Sequence, residues 1–171
     1  EKRAGKKSLH KEMGTPIYIA GATATGKSAV AIAIARKIKG QIISVDSMQV
    51  YKDMDIGTAK PSTQQRKEIP HHLVDSVGLE DTFNAARFVK EAGEKIGEIE
   101  NPIFCGGTGL YFQAWIEGLG DAPPGNSKIR EELKKTPKEK LLEELKKTDP
   151  ETYEKIDKKN GRRIWRAIEV I

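Results

Sequence analysis

Apolar residues along the chain form short runs, and stretches of helical period or polar loops separate them. Runs typical of buried strands occur at 17–20, 41–45 and 103–105, and helical spacing covers 29–35 between the first two. A strand, a helix and a second strand at this spacing require a right-handed crossover. The pattern therefore predicts an α/β fold with a parallel sheet flanked by helices.

A longer helix is predicted before the third strand. Apolar residues from Phe83 to Ile99 recur on one side of a helix, and Asp81 or Thr82 is suited to cap its N-terminus. A further helix follows the third strand and runs to Gly118.

The last third of the chain differs in composition. Prolines and glycine interrupt the pattern at 122–126, and lysine, glutamate and spaced leucines then predict two short amphipathic helices separated at Thr136-Pro137. We predict a basic tail at 1–14, a core at 15–121, a small helical insertion at 122–159 and a helix at 160–171 that returns to the core. The sequence stops within that apolar helix without a stop signal, so we expect further protein beyond it.

Composition limits the class of protein. A length of 171 residues suits one domain, and contents of 37% hydrophobic and 32% charged residues are typical of soluble proteins. The longest apolar run is too short for a membrane span, and the charged N-terminus has no apolar segment behind it. The single cysteine, Cys105, cannot form an internal disulfide. We expect a cytoplasmic monomer without a membrane partner.

Positive charge is concentrated at both ends of the chain. The net charge is +5, with +3 in residues 1–12 and +4 in residues 126–171. Basic ends suit a nucleic-acid partner, although a solvated lysine-rich surface gives the same distribution. The tail is interpreted as flexible, with a basic arm that touches RNA as the alternative.

A phosphate-binding motif follows the first strand. Residues 21–28 have the form G-x-x-x-x-G-K-[ST], and the helical stretch begins directly after it. Glycines allow a tight turn whose N–H groups point at a phosphate, the lysine adds a positive charge, and the serine hydroxyl suits Mg²⁺. The predicted phosphate ligands are Gly21, Ala22, Thr23, Ala24, Thr25, Gly26, Lys27 and Ser28. This motif does not identify the phosphate compound, and a glycine-rich turn without a ligand is the alternative.

Two further polar features are predicted at the same edge of the sheet. Asp46 ends the second strand, and the turn 106–109, which contains Thr108, ends the third. Ligands of parallel α/β sheets bind at the carboxyl ends of the strands. The polar stretch 47–61 is interpreted as a functional loop, whereas the glycine turn has a plain strand-to-helix connection as its alternative.

Histidines and arginines are further candidate ligands. His71 and His72 are neighbours in a short strand, so their side chains point in opposite directions, and no Cys or His has a suitable spacing for a shared metal. Arg162 and Arg166 are four residues apart and share a helix face, which suits either phosphate binding or plain solvation.

Several blocks together resemble one family. The sequence is similar to the tRNA dimethylallyltransferases, also called tRNA isopentenyltransferases, in blocks that occur in the family's order between residues 16 and 171. Besides the phosphate motif, these blocks are 46–51, 54–61, 70–73, 106–111 and 166–170. The resemblance implies a P-loop NTPase-like fold used for prenyl transfer.

The resemblance also implies a reaction and its partners. In the family, the N6 amine of the adenosine 3′ of the tRNA anticodon attacks the allylic carbon of dimethylallyl diphosphate, and pyrophosphate leaves. By this resemblance, residues 21–28 hold the diphosphate, while Lys27 and a Mg²⁺ ion near Ser28 stabilise the leaving group. Asp46 matches the general base and Thr108 a residue that hydrogen-bonds near the adenosine. The positions that match tRNA contacts are Asp46, Ser47, Met48, Gln49, Thr108, Arg130, Arg162, Arg163 and Arg166.

The sequence departs from the family pattern in three respects. Ala22 replaces the usual proline and Asn160 the usual aspartate, and the family continues with helices that hold tRNA and supply an arginine to the pyrophosphate. The alternatives are a small-molecule kinase that uses the loop for ATP and a non-catalytic fragment that binds RNA or a diphosphate.

Overall fold

The computed structural model describes residues 14–120 and 123–171. These residues form two compact units, one that extends to Leu119 and one from Gly120 to Ile171. Apart from Gly14, the predicted tail at 1–14 lies outside the described residues. The finer domain boundaries derived from the sequence stay predictions.

The first unit is a parallel four-stranded sheet with helices on its faces, which confirms the predicted fold class. The spatial order of its strands is β1-β4-β2-β3. The strands are β1 (Ile17–Ala20), β2 (Gln41–Val45), β3 (His71–His72) and β4 (Pro102–Gly106). The helices are α1 (Lys27–Ile38), α2 (Thr63–Glu68), α3 (Ala85–Ile96) and α4 (Gly109–Ile116).

The three long strands end at the same level. Gly106 at the end of β4 lies opposite Ala20 of β1 on one side and Val45 of β2 on the other. Since the strands are parallel, the segments that follow them leave from one edge of the sheet. This register places the loop after β1, the residues after β2 and the turn after β4 next to one another.

Alternate side chains of the strands form two buried layers. Ile42, Ile103 and Cys105 pack with the small and aliphatic residues of α1, whereas Ile43 and Phe104 pack with aromatic residues of α3 and α4. Each fully buried large apolar side chain contributes about 1.5–3 kcal/mol to the hydrophobic stabilisation. Packing of these two layers holds the sheet in place, and with it the edge that carries the polar residues after β1, β2 and β4.

Helix α3 is shorter than its apolar pattern predicts. It begins at Ala85 and ends at Ile96, and its cap is Asn84, whose side-chain oxygen accepts a hydrogen bond from the Arg87 N–H at 3.0 Å. The predicted cap at Asp81 or Thr82 is therefore wrong. Phe83 and Ile99 lie just outside the helix and are also buried. The apolar spacing therefore extends beyond both ends of the helix.

The short helix α2 was not predicted from the sequence. Its start carries a reciprocal cap in which Ser62 Oγ accepts from the Gln65 N–H and the Gln65 side chain accepts from the Ser62 N–H. The S-x-x-Q spacing of this capping box is the sequence signal for it.

In the described part of the second unit, four helices surround a small apolar centre. Leu141, Leu145 and Ile164 are its fully buried side chains. The predicted break at Thr136-Pro137 separates the first two helices, and Asn160 caps the last one by accepting from the Arg163 N–H. The helices are α5 (Ser127–Lys135), α6 (Lys138–Thr148), α7 (Pro150–Lys155) and α8 (Gly161–Val170). Among the described residues, no helix has the length and hydrophobicity needed to cross a lipid bilayer.

Candidate active site

The loop after β1 adopts the open turn that its glycines suggest. Gly26 is the N-cap of α1 with φ of +84°, and Ala24 also has a positive φ, of +65°. Thr25 Oγ1 donates to the Ala22 carbonyl at 2.8 Å and closes the turn. No side chain caps α1, so its first N–H groups, together with the positive end of the helix, remain available to an anion.

Lys27 lies at the first position of α1 and bends back over the loop. Its ammonium group donates a hydrogen bond to the Ala22 carbonyl. This contact holds a positive charge at the loop. An anion in the loop would meet both the helix terminus and the lysine.

Asp46 is fixed at the end of β2 by the backbone that follows it. Its Oδ1 accepts hydrogen bonds from the N–H groups of Met48 at 2.8 Å and Gln49 at 3.2 Å. Among the described residues, Oδ2 has no hydrogen-bond partner. One carboxylate oxygen is thus structural and the other is available to a ligand.

The turn after β4 is bonded to the end of β2. Thr108 Oγ1 accepts from the Ser47 N–H at 3.0 Å, and the Thr108 N–H donates to the Val45 carbonyl at 3.1 Å. Gly106 permits this approach, because a Cβ there would lie 2.0 Å from the Val45 carbonyl oxygen. The turn therefore both connects a strand to a helix and positions the residues beside Asp46.

These elements border one cleft of about 420 Å³. A further wall of this cleft is formed by residues 57–61, and its inner part includes Ile42, His71 and Cys105. Of the residues predicted to form the site, those that line the cleft are Thr23, Ala24, Gly26, Lys27, Ser28, Asp46, Met48 and Gln49. Gly21, Ala22, Thr25, Ser47 and Thr108 lie in the same loops but do not line it.

Two residues of the inner part were not predicted to line the cleft, since His71 was considered only as a metal ligand and Cys105 only for a disulfide. Burial lowers the pKa of His71, and its Nδ1 lies 2.7 Å from the Ile69 carbonyl, which favours a neutral ring with its proton on Nδ1. Burial raises the pKa of the Cys105 thiol, which favours its protonated form. Both residues present a neutral surface to the cleft.

Lys60 was also missed, although it stands in a polar loop that was interpreted as functional. Its side chain is only 4% exposed, and the ammonium contacts Asp55 and Asp75. Burial opposes the charge, but hydrogen bonds to Asp75 and Asp55 outweigh it and raise the pKa of Lys60. No local sequence pattern predicts these contacts, since Asp55 precedes Lys60 in the chain and Asp75 follows it.

The cleft offers oxygen donors for a divalent cation. Ser28 and Asp46 both line it, whereas the described residues contain no cluster of three or more His, Cys, Asp or Glu side chains suited to a metal. Mg²⁺ commonly keeps several waters and binds through one or two protein oxygens plus substrate phosphates. The donor set fits Mg²⁺ held jointly with a phosphate compound.

In the second unit, two of the predicted arginines bind a buried carboxylate. Arg130 and Arg166 each place a guanidinium nitrogen 2.9 Å from Glu169 Oε2, and the side chain of Glu169 is 2% exposed. Arg162 and Arg163 are exposed, and within the described part of the chain their guanidinium groups have no hydrogen-bond or ion-pair partner. Of the four arginines predicted to contact tRNA, Arg162 and Arg163 are therefore the two whose side chains are available to a ligand.

Comparison of the sequence with known protein families identifies the family of this chain. A family model described as IPP transferase matches residues 49–171. The chain belongs to the IPP transferase family. This match agrees with the resemblance of several sequence blocks to the tRNA isopentenyltransferases.

Individual relatives give the same result. The chain is 46% identical over 162 residues to tRNA dimethylallyltransferase 2 of Geotalea uraniireducens, and 48% identical over 163 residues to tRNA dimethylallyltransferase of Pediococcus pentosaceus. These matches cover 90% of this chain but 52% and 53% of the relatives. The chain thus spans about half the length of the curated relatives it matches.

Solved structures of the IPP transferase family have a similar fold. A eukaryotic dimethylallyltransferase acting on tRNA matches with a TM-score of 0.76 and 33% identity, over 90% of this chain and 40% of that one. The full-length tRNA isopentenylpyrophosphate transferase of Bacillus halodurans matches with a TM-score of 0.61 and 36% identity, over 91% and 55%.

Proposed function

We propose that this chain provides the donor site and the general base of a tRNA dimethylallyltransferase. The reaction transfers a dimethylallyl group from dimethylallyl diphosphate to the N6 amine of the adenosine 3′ of the anticodon and releases pyrophosphate. The proposal rests mainly on the shared cleft at one edge of the sheet. This cleft is bordered by a loop suited to bind an anion and by Asp46, whose Oδ1 is hydrogen-bonded and whose Oδ2 is available. We further propose a cytoplasmic protein that acts as a monomer.

The loop binds the diphosphate in this proposal. The N–H groups of 21–28 and the Lys27 ammonium donate hydrogen bonds to its oxygens, and they are in place before the donor arrives. When the allylic C–O bond breaks, its electron pair leaves with the pyrophosphate. The preorganised positive groups stabilise that growing charge.

Asp46 accepts the proton that the reaction releases. The nitrogen of the adenosine amine forms the new C–N bond, and one of its hydrogens passes to Asp46 Oδ2 as the bond forms. The hydrogen bonds from Met48 and Gln49 to Oδ1 fix the orientation of the carboxylate. Thr108 holds the adjacent Ser47 N–H and keeps this segment in place.

Magnesium is proposed as the cofactor. Ser28 would hold it together with the diphosphate oxygens, so that Asp46 Oδ2 stays available for the proton. When bound, a divalent cation supplies additional charge stabilisation to the leaving group.

RNA contacts are proposed separately in each unit, from exposed polar and basic groups. Met48 is 44% exposed and lies at the cleft, next to Ser47 and Gln49. Arg162 and Arg163 have guanidinium groups available for phosphates. A base in an RNA loop can be turned out to reach a recessed carboxylate.

The proposal is tested with an Asp46→Asn variant, because asparagine keeps an acceptor for the Met48 and Gln49 N–H groups but cannot take a proton. The assay measures transfer of a labelled dimethylallyl group to a tRNA with adenosine 3′ of the anticodon. It uses both this chain and the chain joined to the remaining half of a relative. We expect the rate to fall by about 10²–10⁴-fold in the variant, with tRNA binding retained. An unchanged rate would refute the role of Asp46.

The same assay separates the alternatives. ATP hydrolysis or phosphorylation of a small molecule without prenyl transfer would indicate the kinase. Binding of RNA or diphosphate without turnover by either protein would indicate the non-catalytic fragment.

A further inference from the structure

We infer that Lys60 is a positioning residue that holds residues 57–61 as the wall of the cleft facing the phosphate loop. A lysine that lines a phosphate site would ordinarily be assigned to the phosphate. The contacts of Lys60 point to a different role, which concerns the shape of the cleft.

The ammonium group of Lys60 has no hydrogen left for an anion. Lysine offers three N–H donors, and here they contact the Tyr51 carbonyl at 2.6 Å, Asp55 Oδ1 at 2.9 Å and Asp75 Oδ1 at 2.5 Å. The side chain is 4% exposed, so solvent does not compete for these contacts. A phosphate would have to break one of them in order to bind.

The charge of Lys60 is also balanced locally. Asp75 accepts a second hydrogen bond, from Arg66 of α2, so that two cations face Asp55 and Asp75. The group carries no net charge to attract an anion. It instead connects the polar loop after β2 with α2 and with the segment that follows β3.

A second support meets the wall from the side of β2. Gln49 Nε2 donates to the carbonyls of Thr58 and Ala59, each at 3.1 Å, and Gln49 Oε1 lies 3.0 Å from the Ser44 hydroxyl, which donates to it. The wall is thereby bonded to the strand that carries Asp46. Lys60 and Gln49 thus provide two separate sets of contacts that hold it.

The backbone of this region needs such support. Asp53, Ala59 and Asp75 have positive φ values of 62°, 49° and 52°. Residues other than glycine keep this conformation only where surrounding contacts impose it, and such residues cluster at functional sites. Lys60 contacts Asp75 directly and follows Ala59, so its removal would release the strained segment.

The inference is tested by comparing Lys60→Met with Lys52→Met, which removes a lysine from the exposed part of the same loop. Backbone ¹⁵N relaxation is measured at residues 57–60 and across α1, because the 57–60 N–H groups donate no hydrogen bond within the described part of the chain and hydrogen exchange would not report on them. We expect the order parameters of 57–60 to fall from about 0.85 to about 0.6 or less in Lys60→Met and to stay near about 0.85 in Lys52→Met, with α1 unchanged. Equal order parameters of 57–60 in the two variants would overturn the inference.

Pyrophosphate binding separates a positioning role from an anion-binding role. We expect the pyrophosphate Kd of Lys60→Met to stay within threefold of the unmodified chain, whereas a loss of tenfold or more would assign Lys60 to the anion. If Lys60→Met does not fold, Asp55→Ala replaces it, because Asp55 is 70% exposed and its truncation removes one contact of the Lys60 ammonium. A fall in the order parameters of 57–60 is expected there too, and its absence would overturn the inference.

The catalytic consequence rests on the proposed function. In the extended protein, Lys60→Met is expected to lower kcat for prenyl transfer at least tenfold and to change the KM for dimethylallyl diphosphate less than threefold, because the wall orients reactants beside Asp46. Lys60→Arg should recover part of kcat. An unchanged kcat in Lys60→Met overturns the catalytic part, whereas absence of transfer in the unmodified protein refutes the proposed function and leaves the order parameters of 57–60 to decide the inference.

Discussion

Replacement of Glu169 by glutamine should weaken the second unit in a pH-dependent manner. Glu169 is buried, and burial alone would raise its pKa, but hydrogen bonds from Arg166, the Asn126 N–H and Arg130 outweigh burial and lower the pKa from 4.5 to about 2. The folded state therefore binds a proton at this carboxylate more weakly than the unfolded chain does. Linkage converts that difference into stability.

The magnitude follows from the two pKa values. The difference between 4.5 and about 2 corresponds to at most about 3 kcal/mol. Arg130 and Arg166 are 46% and 34% exposed, so solvent screens part of the attraction, and we expect about 2 kcal/mol. Because the folded pKa is depressed, this contribution is fully present above pH 4.5 and is lost as the pH falls toward 2.

Urea denaturation followed by far-UV circular dichroism measures the effect. The free energy of unfolding of Glu169→Gln should be lower by about 2 kcal/mol at pH 7, and the gap should fall to less than about half by pH 3. Glu154→Gln, at an exposed position of α7, is the matched control and should change stability by less than about 0.5 kcal/mol. A gap between the unmodified chain and Glu169→Gln that stays constant with pH would refute the reasoning.

Four other changes test separate parts of the structure. Lys27→Met should raise the pyrophosphate Kd about 10–100-fold in calorimetry, and an unchanged Kd would contradict the role of the loop. Gly106→Ala should lower the unfolding free energy by at least about 2 kcal/mol in urea, since its Cβ would meet a backbone carbonyl. Thr108→Val should cost about 1 kcal/mol in the same measurement by removing the acceptor of the Ser47 N–H. Combined Arg162→Ala and Arg163→Ala changes should weaken tRNA binding and reduce the salt slope of log Kd by about one for each phosphate that is no longer bound, whereas an unchanged slope would remove these arginines from the interface.

Local patterns were sufficient to predict the part of the fold that carries the site. The strand at 41–45 and the loop between β1 and α1 depend on residues adjacent in sequence, and both were predicted at the positions where the structure has them. The convergence of Asp46 and Thr108 followed from one rule, that parallel strands present their carboxyl ends at a common edge. The hydrogen bond between Thr108 and Ser47 agrees with that inference.

The parts that were missed depend on contacts between distant segments. Lys60 forms an ion pair with Asp75, which is fifteen residues away, and no local sequence pattern predicts this pair. Helix α3 was overestimated because Phe83 and Ile99 are buried outside it, and burial produces the same apolar spacing as a helix does. Arg130 and Arg166 were counted with the RNA contacts, yet the structure shows that both also bind Glu169.

The choice of Asp46 as the proposed proton acceptor is supported by how the other groups in the cleft are already used. Lys60 directs its three donors to the protein, and His71 is held with its Nδ1 proton at the Ile69 carbonyl, with a pKa lowered by burial. Among the described residues that line the cleft, Asp46 alone carries a carboxylate, and its Oδ2 is the oxygen that the backbone leaves available. In the proposed mechanism the proton therefore passes to this carboxylate oxygen, and the anion binds in the loop.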